Sequence, residues 1–167
     1  SHLVNGWYNH SEKQVVSNLS ELKQLSGGIS DLVINSDCCN IVECLDFGVF
    51  QWLRTLEIGD NCFADVNMFR LEGLGNLEKV KIGKNSFTNI KSSDVWDSES
   101  AQKLNRSFHI VKCEKLKRIT IGEFSFCDYS GAFELSDLQS LESLEIGTLK
   151  VNSFNFCFAS FSVKSAR

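Results

Sequence analysis

Leu53-Arg-Thr-Leu56-Glu-Ile58-Gly-Asp-Asn61-Cys-Phe63 returns almost unchanged as Leu77-Glu-Lys-Val80-Lys-Ile82-Gly-Lys-Asn85-Ser-Phe87. A third copy reads Leu116-Lys-Arg-Ile119-Thr-Ile121-Gly-Glu-Phe124-Ser-Phe126. A fourth, Leu141-Glu-Ser-Leu144-Glu-Ile146-Gly147, keeps the first half and then departs. An earlier, degenerate copy runs Ile29-Ser-Asp-Leu32-Val-Ile34-Asn-Ser-Asp37-Cys-Cys39. The starts lie 24, 24, 39 and 25 residues apart, so the long interval is one ordinary spacing plus about 15 inserted residues. In each copy two apolar residues stand two apart, which sends both to one side of a strand. Self-similarity at a fixed period of this size marks an array of stacked units.

The pattern is LxxLxLxxNxL, and on it the chain resembles the leucine-rich-repeat family over nearly its whole length. The Ile-Gly-x-x-Ser/Cys-Phe string is more distantly similar to the IGxxAF element of BspA-like surface proteins of bacteria and protists. It departs from them in closing the main strand with Ile-Gly, which usually sits later in the repeat. The resemblance implies a solenoid with a parallel concave sheet and a non-catalytic binding role. It also implies that Asn61 and Asn85 form a buried ladder between turns, which Phe124 and Leu149 would break and so loosen in the later coils.

A second apolar pair lies in each unit: Leu45/Phe47, Phe69/Leu71, Phe108/Ile110, Phe133/Leu135 and Phe161/Val163. These alternate too, and the return legs are short. The expected fold is therefore a mainly β leucine-rich-repeat solenoid of about five repeats over 29–167, with short strands or turns on the convex side. Thirteen phenylalanines and no proline fit such an array, because proline cannot donate to a ladder.

Residues 1–28 read as an N-terminal cap. Val15, Val16, Leu19, Leu22 and Leu25 fall at helical spacing, Ser11 and Gln14 could cap a helix over 12–25, and Gly27-Gly28 would stop it. A rival reading makes Leu19, Leu22 and Leu25 the back half of a repeat. At the other end Phe154, Phe156 and Phe158 alternate and the chain stops without a polar cap. The expectation is that the natural chain continues past Arg167 or that this edge pairs with something.

The net charge of −4 argues against a general nucleic-acid binder, and no apolar run approaches the roughly 18 residues of a membrane span. The compartment stays open; Asn9, Asn18 and Asn105 are Asn-x-Ser acceptors that matter only in a secreted protein. Seven cysteines cannot all pair, and small buried thiols are the simplest reading. Cys38, Cys39 and Cys44 lack the spacing and histidine of a zinc site, and no motif orients a Cys–His pair for catalysis. No cofactor and no enzymatic activity are expected. The glycines Gly59, Gly83, Gly122 and Gly147 are too dispersed for a phosphate cradle and read as turn residues.

Between the buried pairs lie residues facing solvent. The middle units concentrate Lys79, Lys81, Lys84, Lys117 and Arg118, flanked by Glu57, Asp60, Glu142 and Glu145. A basic centre between acidic margins selects an acidic protein surface. The insertion at 88–106, with Trp96 as an aromatic anchor, is the other candidate contact. Two functions follow as expectations: a module that binds a protein partner through the concave face and insertion, or a structural or adhesive fragment that self-associates through its open C-terminal edge.

Overall fold

The computed structural model describes residues 12–90, 104–150 and 152–165. Its strands follow the chain as β1 (Lys13–Val16), β2 (Asp31–Ile34), β3 (Thr55–Ile58), β4 (Met68–Glu72), β5 (Lys79–Ile82), β6 (Ser107–Val111), β7 (Arg118–Ile121), β8 (Ala132–Ser136), β9 (Ser143–Ile146) and β10 (Ser160–Lys164). They form two parallel sheets, ordered β1-β2-β3-β5-β7-β9 and β10-β8-β6-β4. From β3 onward the chain passes from the first sheet to the second and back. Each such circuit lays its strands beside those of the previous one. The register joins Leu56 to Val80, Val80 to Ile119 and Ile119 to Leu144, so the aligned apolar positions of the sequence share one row.

The second sheet starts later than the first. Of the five convex pairs expected to be strands or turns, four are strands. Leu45/Phe47 instead leads into a 3-10 helix at Phe47–Val49, capped by Asp46, whose Oδ1 accepts from the Gly48 N–H at 2.8 Å. Phe47 still points inward and meets the edge of Phe69.

The N-terminal helix expected over 12–25 is corrected to a strand followed by one short helix. Lys13–Val16 pairs with β2 in register, Gln14 opposite Leu32 and Val16 opposite Ile34. The β-branched pair Val15-Val16 suits the strand, and Val16 is buried. Only α1 (Leu19–Lys23) is helical. Its cap is Asn18, while Ser11, expected as a cap, lies outside the described residues. The Asn18 side chain accepts from the Glu21 N–H at 2.9 Å, and Glu21 accepts from the Ser17 N–H at 2.6 Å. A reciprocal cap at this place stops the helix from extending back into Val16.

Between the sheets the core is built on two interleaved files of phenylalanine. One stacks Phe63, Phe87, Phe126 and Phe156 at centroid spacings of 5.3, 4.7 and 4.9 Å. The other stacks Phe69, Phe108 and Phe133 at 5.0 and 5.0 Å and ends on Phe161, tilted against Phe133 at 4.7 Å. Edge-to-face contacts lock the files together, as between Phe69 and Phe126 or Phe108 and Phe156. Such geometry suits the ring quadrupole and adds to the burial of large apolar area.

The turns after the first-sheet strands carry a ladder, but its buried file is not made by the side chains of Asn61 and Asn85. Asn61 is exposed, its Nδ2 donating to Asp37 Oδ1 of the turn before at 2.9 Å, and Asn85 is half-buried; they take φ of 56° and 52°, a region Asn tolerates better than most residues. The buried ladder lies one residue on. Ser125 Oγ accepts from the Ser86 N–H at 3.0 Å and donates to the Gly83 carbonyl at 2.6 Å. Ser86 Oγ accepts from the Cys62 N–H at 3.1 Å and donates to the Gly59 carbonyl at 2.8 Å. Cys62 Sγ reaches the Asn35 carbonyl, and Asn155 Nδ2 donates to the Gly122 carbonyl at 2.7 Å.

The later turns are therefore joined as the middle ones are. Phe124 takes the left-handed conformation in place of Asn and stacks on Phe154, while Leu149 projects into solvent. The glycine column has a matching cause. A Cβ on Gly122 would lie 2.6 Å from the Gly83 backbone, so adjacent circuits close up only where no side chain intervenes.

Candidate functional site

The outer face of the first sheet takes its chemistry from the strand register. Lys79 lies beside Thr55 on one side and Arg118 on the other. Two residues on, Lys81 lies between Glu57 and Thr120. Lys117 precedes β7, its N–H donating to the Glu78 carbonyl at 2.9 Å. All five cations expected here are exposed, but they divide into two groups.

Lys84 pairs with Glu123 at 2.9 Å, and that bonded carboxylate holds its ammonium above the usual lysine range. Lys81 sits 3.7 Å from Glu57. Lys79, Lys117 and Arg118 make no ion pair among the described residues. Lys79 and Arg118 are direct register neighbours, a like-charge pair that costs stability in a sheet. The basic centre thus narrows to three cations, with Glu57 and Glu123 occupied in neutralising the other two. Trp96 and residues 91–103 of the insertion lie outside the described residues.

The roots of the insertion, however, are well defined, and sequence reasoning missed what holds them. Asp128, 1% exposed, accepts from the Asn89 N–H at 3.1 Å and from Arg106 Nη1 at 3.3 Å. Arg106 Nη1 also donates to the Ala64 carbonyl at 2.7 Å, and Asn89 Nδ2 donates to Asp65 at 2.9 Å. One buried carboxylate therefore grips the chain on both sides of the inserted stretch. Burial pushes the Asp128 carboxyl above its ordinary value, with the Arg106 charge opposing. The one hint in the sequence is an aspartate set among Ser125, Phe126, Cys127 and Tyr129, all of which prove buried.

On the second sheet His109 stands beside Glu134 in register, Nδ1 to Oε2 at 2.8 Å, and is half-buried. Cys62, Cys113 and Cys127 are buried free thiols, raised above the ordinary cysteine range by burial, Cys127 up to about 12. Cys44 and Cys157 are exposed and free, and the neighbouring Cys38 and Cys39 bring their sulfurs together. Among the described residues no group of three or more His, Cys, Asp or Glu is placed to hold a metal ion, and no helix is long and apolar enough to cross a membrane. Compared with known proteins, the chain matches no family model, no curated protein and no solved structure.

Proposed function

We propose that the chain is a leucine-rich-repeat solenoid whose first sheet is a concave surface for binding a protein partner that presents acidic side chains. The observation that carries this reading is the set Lys79, Lys117 and Arg118. Two of the three are direct neighbours on adjacent strands without a carboxylate partner. A like-charge pair held against its own repulsion is resolved when an anionic surface covers it. Glu57 and Glu123 neutralise the adjacent lysines and so sharpen the contrast at the centre. No catalysis is proposed.

The test is a capture experiment followed by chemical cross-linking. The intact chain serves as bait beside a Lys79→Glu/Lys117→Glu/Arg118→Glu version whose circular dichroism and melting are unchanged. A partner cross-linked to Lys79 or Lys117 and lost from the triple variant supports the reading. A partner held equally by both rules out this face.

A second reading has its own observation. Leu144, Phe161 and Val163 lie on the terminal strands β9 and β10 and are 40%, 60% and 73% exposed. In this reading the module is a structural or adhesive element that self-associates through that edge. Sedimentation over a hundredfold concentration range discriminates: a strict monomer rejects it, and association abolished by Phe161→Lys favours it.

A further inference from the structure

Among the described residues the second sheet has an unpaired edge at β4. Hydrogen bonding to β6 uses alternate residues of β4 and its flanks: the Ser107 N–H donates to the Asn67 carbonyl at 3.1 Å, and the Gly73 N–H to the Val111 carbonyl at 3.0 Å. In a parallel ladder that parity assigns Phe69 and Leu71 to β6 as well. It turns the N–H and C=O groups of Met68, Arg70 and Glu72 to the opposite side. The strand that would receive them is replaced by the run from Glu43 into the 3-10 helix, and no backbone bond joins that run to β4.

A groove of about 490 Å³ fills this place, lined by Glu43, Cys44, Leu45 and Asp46 on one bank and by Met68, Arg70 and Glu72 on the other. Natural edge strands are normally covered or blunted, because such a row of free groups templates another strand. Here the row opens into a groove whose floor is partly apolar. Met68 is 49% exposed, and the adjoining hollow adds Ile41, 74% exposed.

The charge of the groove selects the occupant. Arg70 is bound by Glu72 at 2.7 Å and so cancels it. Among the described residues Glu43 and Asp46 make no ion pair, which leaves the groove acidic. We infer that the free edge of β4 is a docking strand for an extended basic peptide of another protein, paired through the backbone of Met68, Arg70 and Glu72. Backbone pairing supplies affinity in this mode and alternate side-chain pockets supply selectivity. The five residues of β4 span about 16 Å, enough for a stretch of roughly five residues. The occupant's apolar side chains would lie on Leu45 and Met68, its cations near Glu43 and Asp46. This surface is separate from the basic centre of the first sheet and opposite to it in charge preference.

The probes are three fluorescein-labelled peptides: Lys-Val-Lys-Val-Lys, its Glu-for-Lys counterpart, and the lysine peptide N-methylated at alternate residues. Titrated by anisotropy against the full chain, the lysine peptide binds at one site. The other two bind at least tenfold more weakly. Amide exchange followed by NMR slows at Met68, Arg70 and Glu72 and is unchanged at Phe69 and Leu71. Arg70→Pro deletes an edge donor while sparing the ladder to β6, and it weakens binding even though it removes a positive charge. Glu43→Lys with Asp46→Asn, which keeps the cap on Gly48, also weakens it about tenfold. Equal binding of the N-methylated peptide overturns strand pairing. Binding without protection at those three amides, or no binding of the lysine peptide, overturns the site.

Discussion

The middle and last circuits carry nearly the same residues in the same register, yet their side chains live in different surroundings. Ile119 is fully buried, whereas Leu144, its register neighbour on β9, is 40% exposed. Phe133 is 1% exposed and its ring neighbour Phe161 is 60%. In the turns, Cys127 is buried and Cys157 is exposed. An inward position is therefore not buried by its own circuit alone; the following circuit completes the burial. The sequence pattern determines direction, and neighbours on both sides determine energy.

The largest test of that difference is the aromatic core. Phe126 touches Phe87, Phe156, Phe69, Phe108 and Tyr129. Phe126→Ala should cost about 3–5 kcal/mol in denaturant melts, while Phe161→Ala should cost under about 1 kcal/mol. Equal losses would mean that something covers the terminal strands in solution.

Next comes the buried pair of Arg106 and Asp128 in the middle circuits. Asp128→Asn loses an acceptor shared by Arg106 Nη1 and the Asn89 N–H. It should cost up to about 3 kcal/mol at acid pH and less near neutral pH, where the buried ionised carboxylate already weakens the fold. The variant should also change the pH dependence. Because burial raises the Asp128 pKa above its ordinary 3.8, the folded chain binds this proton more tightly than the unfolded one. Its contribution is favourable at low pH and is lost as pH rises from that ordinary value through the folded one. Melts taken across that window should show a flatter slope for Asp128→Asn than for the parent chain.

A smaller effect separates the two forms of the turn ladder. Ser125→Ala strands the buried Ser86 N–H and should cost about 1–3 kcal/mol. The half-buried Asn155 in the last circuit donates to the Gly122 and Ser125 carbonyls through part-buried bonds, whereas the bond from Ser86 to Ser125 is buried, so Asn155→Ala should cost less than Ser125→Ala. The gentlest probe changes no residue. Brief alkylation with mapping by mass spectrometry should modify Cys44 and Cys157 first, leaving Cys62, Cys113 and Cys127 unmodified until the chain unfolds. Early labelling of Cys127 would place the boundary between the two regions earlier in the chain.

Much of the fold could be read before the structure was seen. Spacing two apart in Leu56/Ile58 and Val80/Ile82 gave the first-sheet strands, and Phe69/Leu71 with its counterparts gave the second. Two features escaped because their cause is tertiary. Val15 and Val16 match helical spacing as well as a strand, and only the open edge of β2 decides between them. Asn61 and Asn85 looked like buried ladder residues, whereas the Asn61 side chain makes an exposed bond to Asp37 and both supply a left-handed backbone that hands the buried ladder to the residue beyond. At the candidate site, the columns of charge followed from register alone. The pairing of Lys84 with Glu123 did not, because it depends on side-chain reach across strands. Asp128 was illegible because its partners stand 22 and 39 positions away along the chain.

The turn ladder is also directional. Each hydroxyl of Ser86 and Ser125 takes a hydrogen from, and gives one to, the circuit before it; Cys62 and Asn155 likewise reach backward. The side chains of this file find their partners in residues already made, and Ser86 and Ser125 each close a backbone N–H left open by the circuit before. A chain leaving the ribosome N-terminus first can thus fasten each circuit as it emerges.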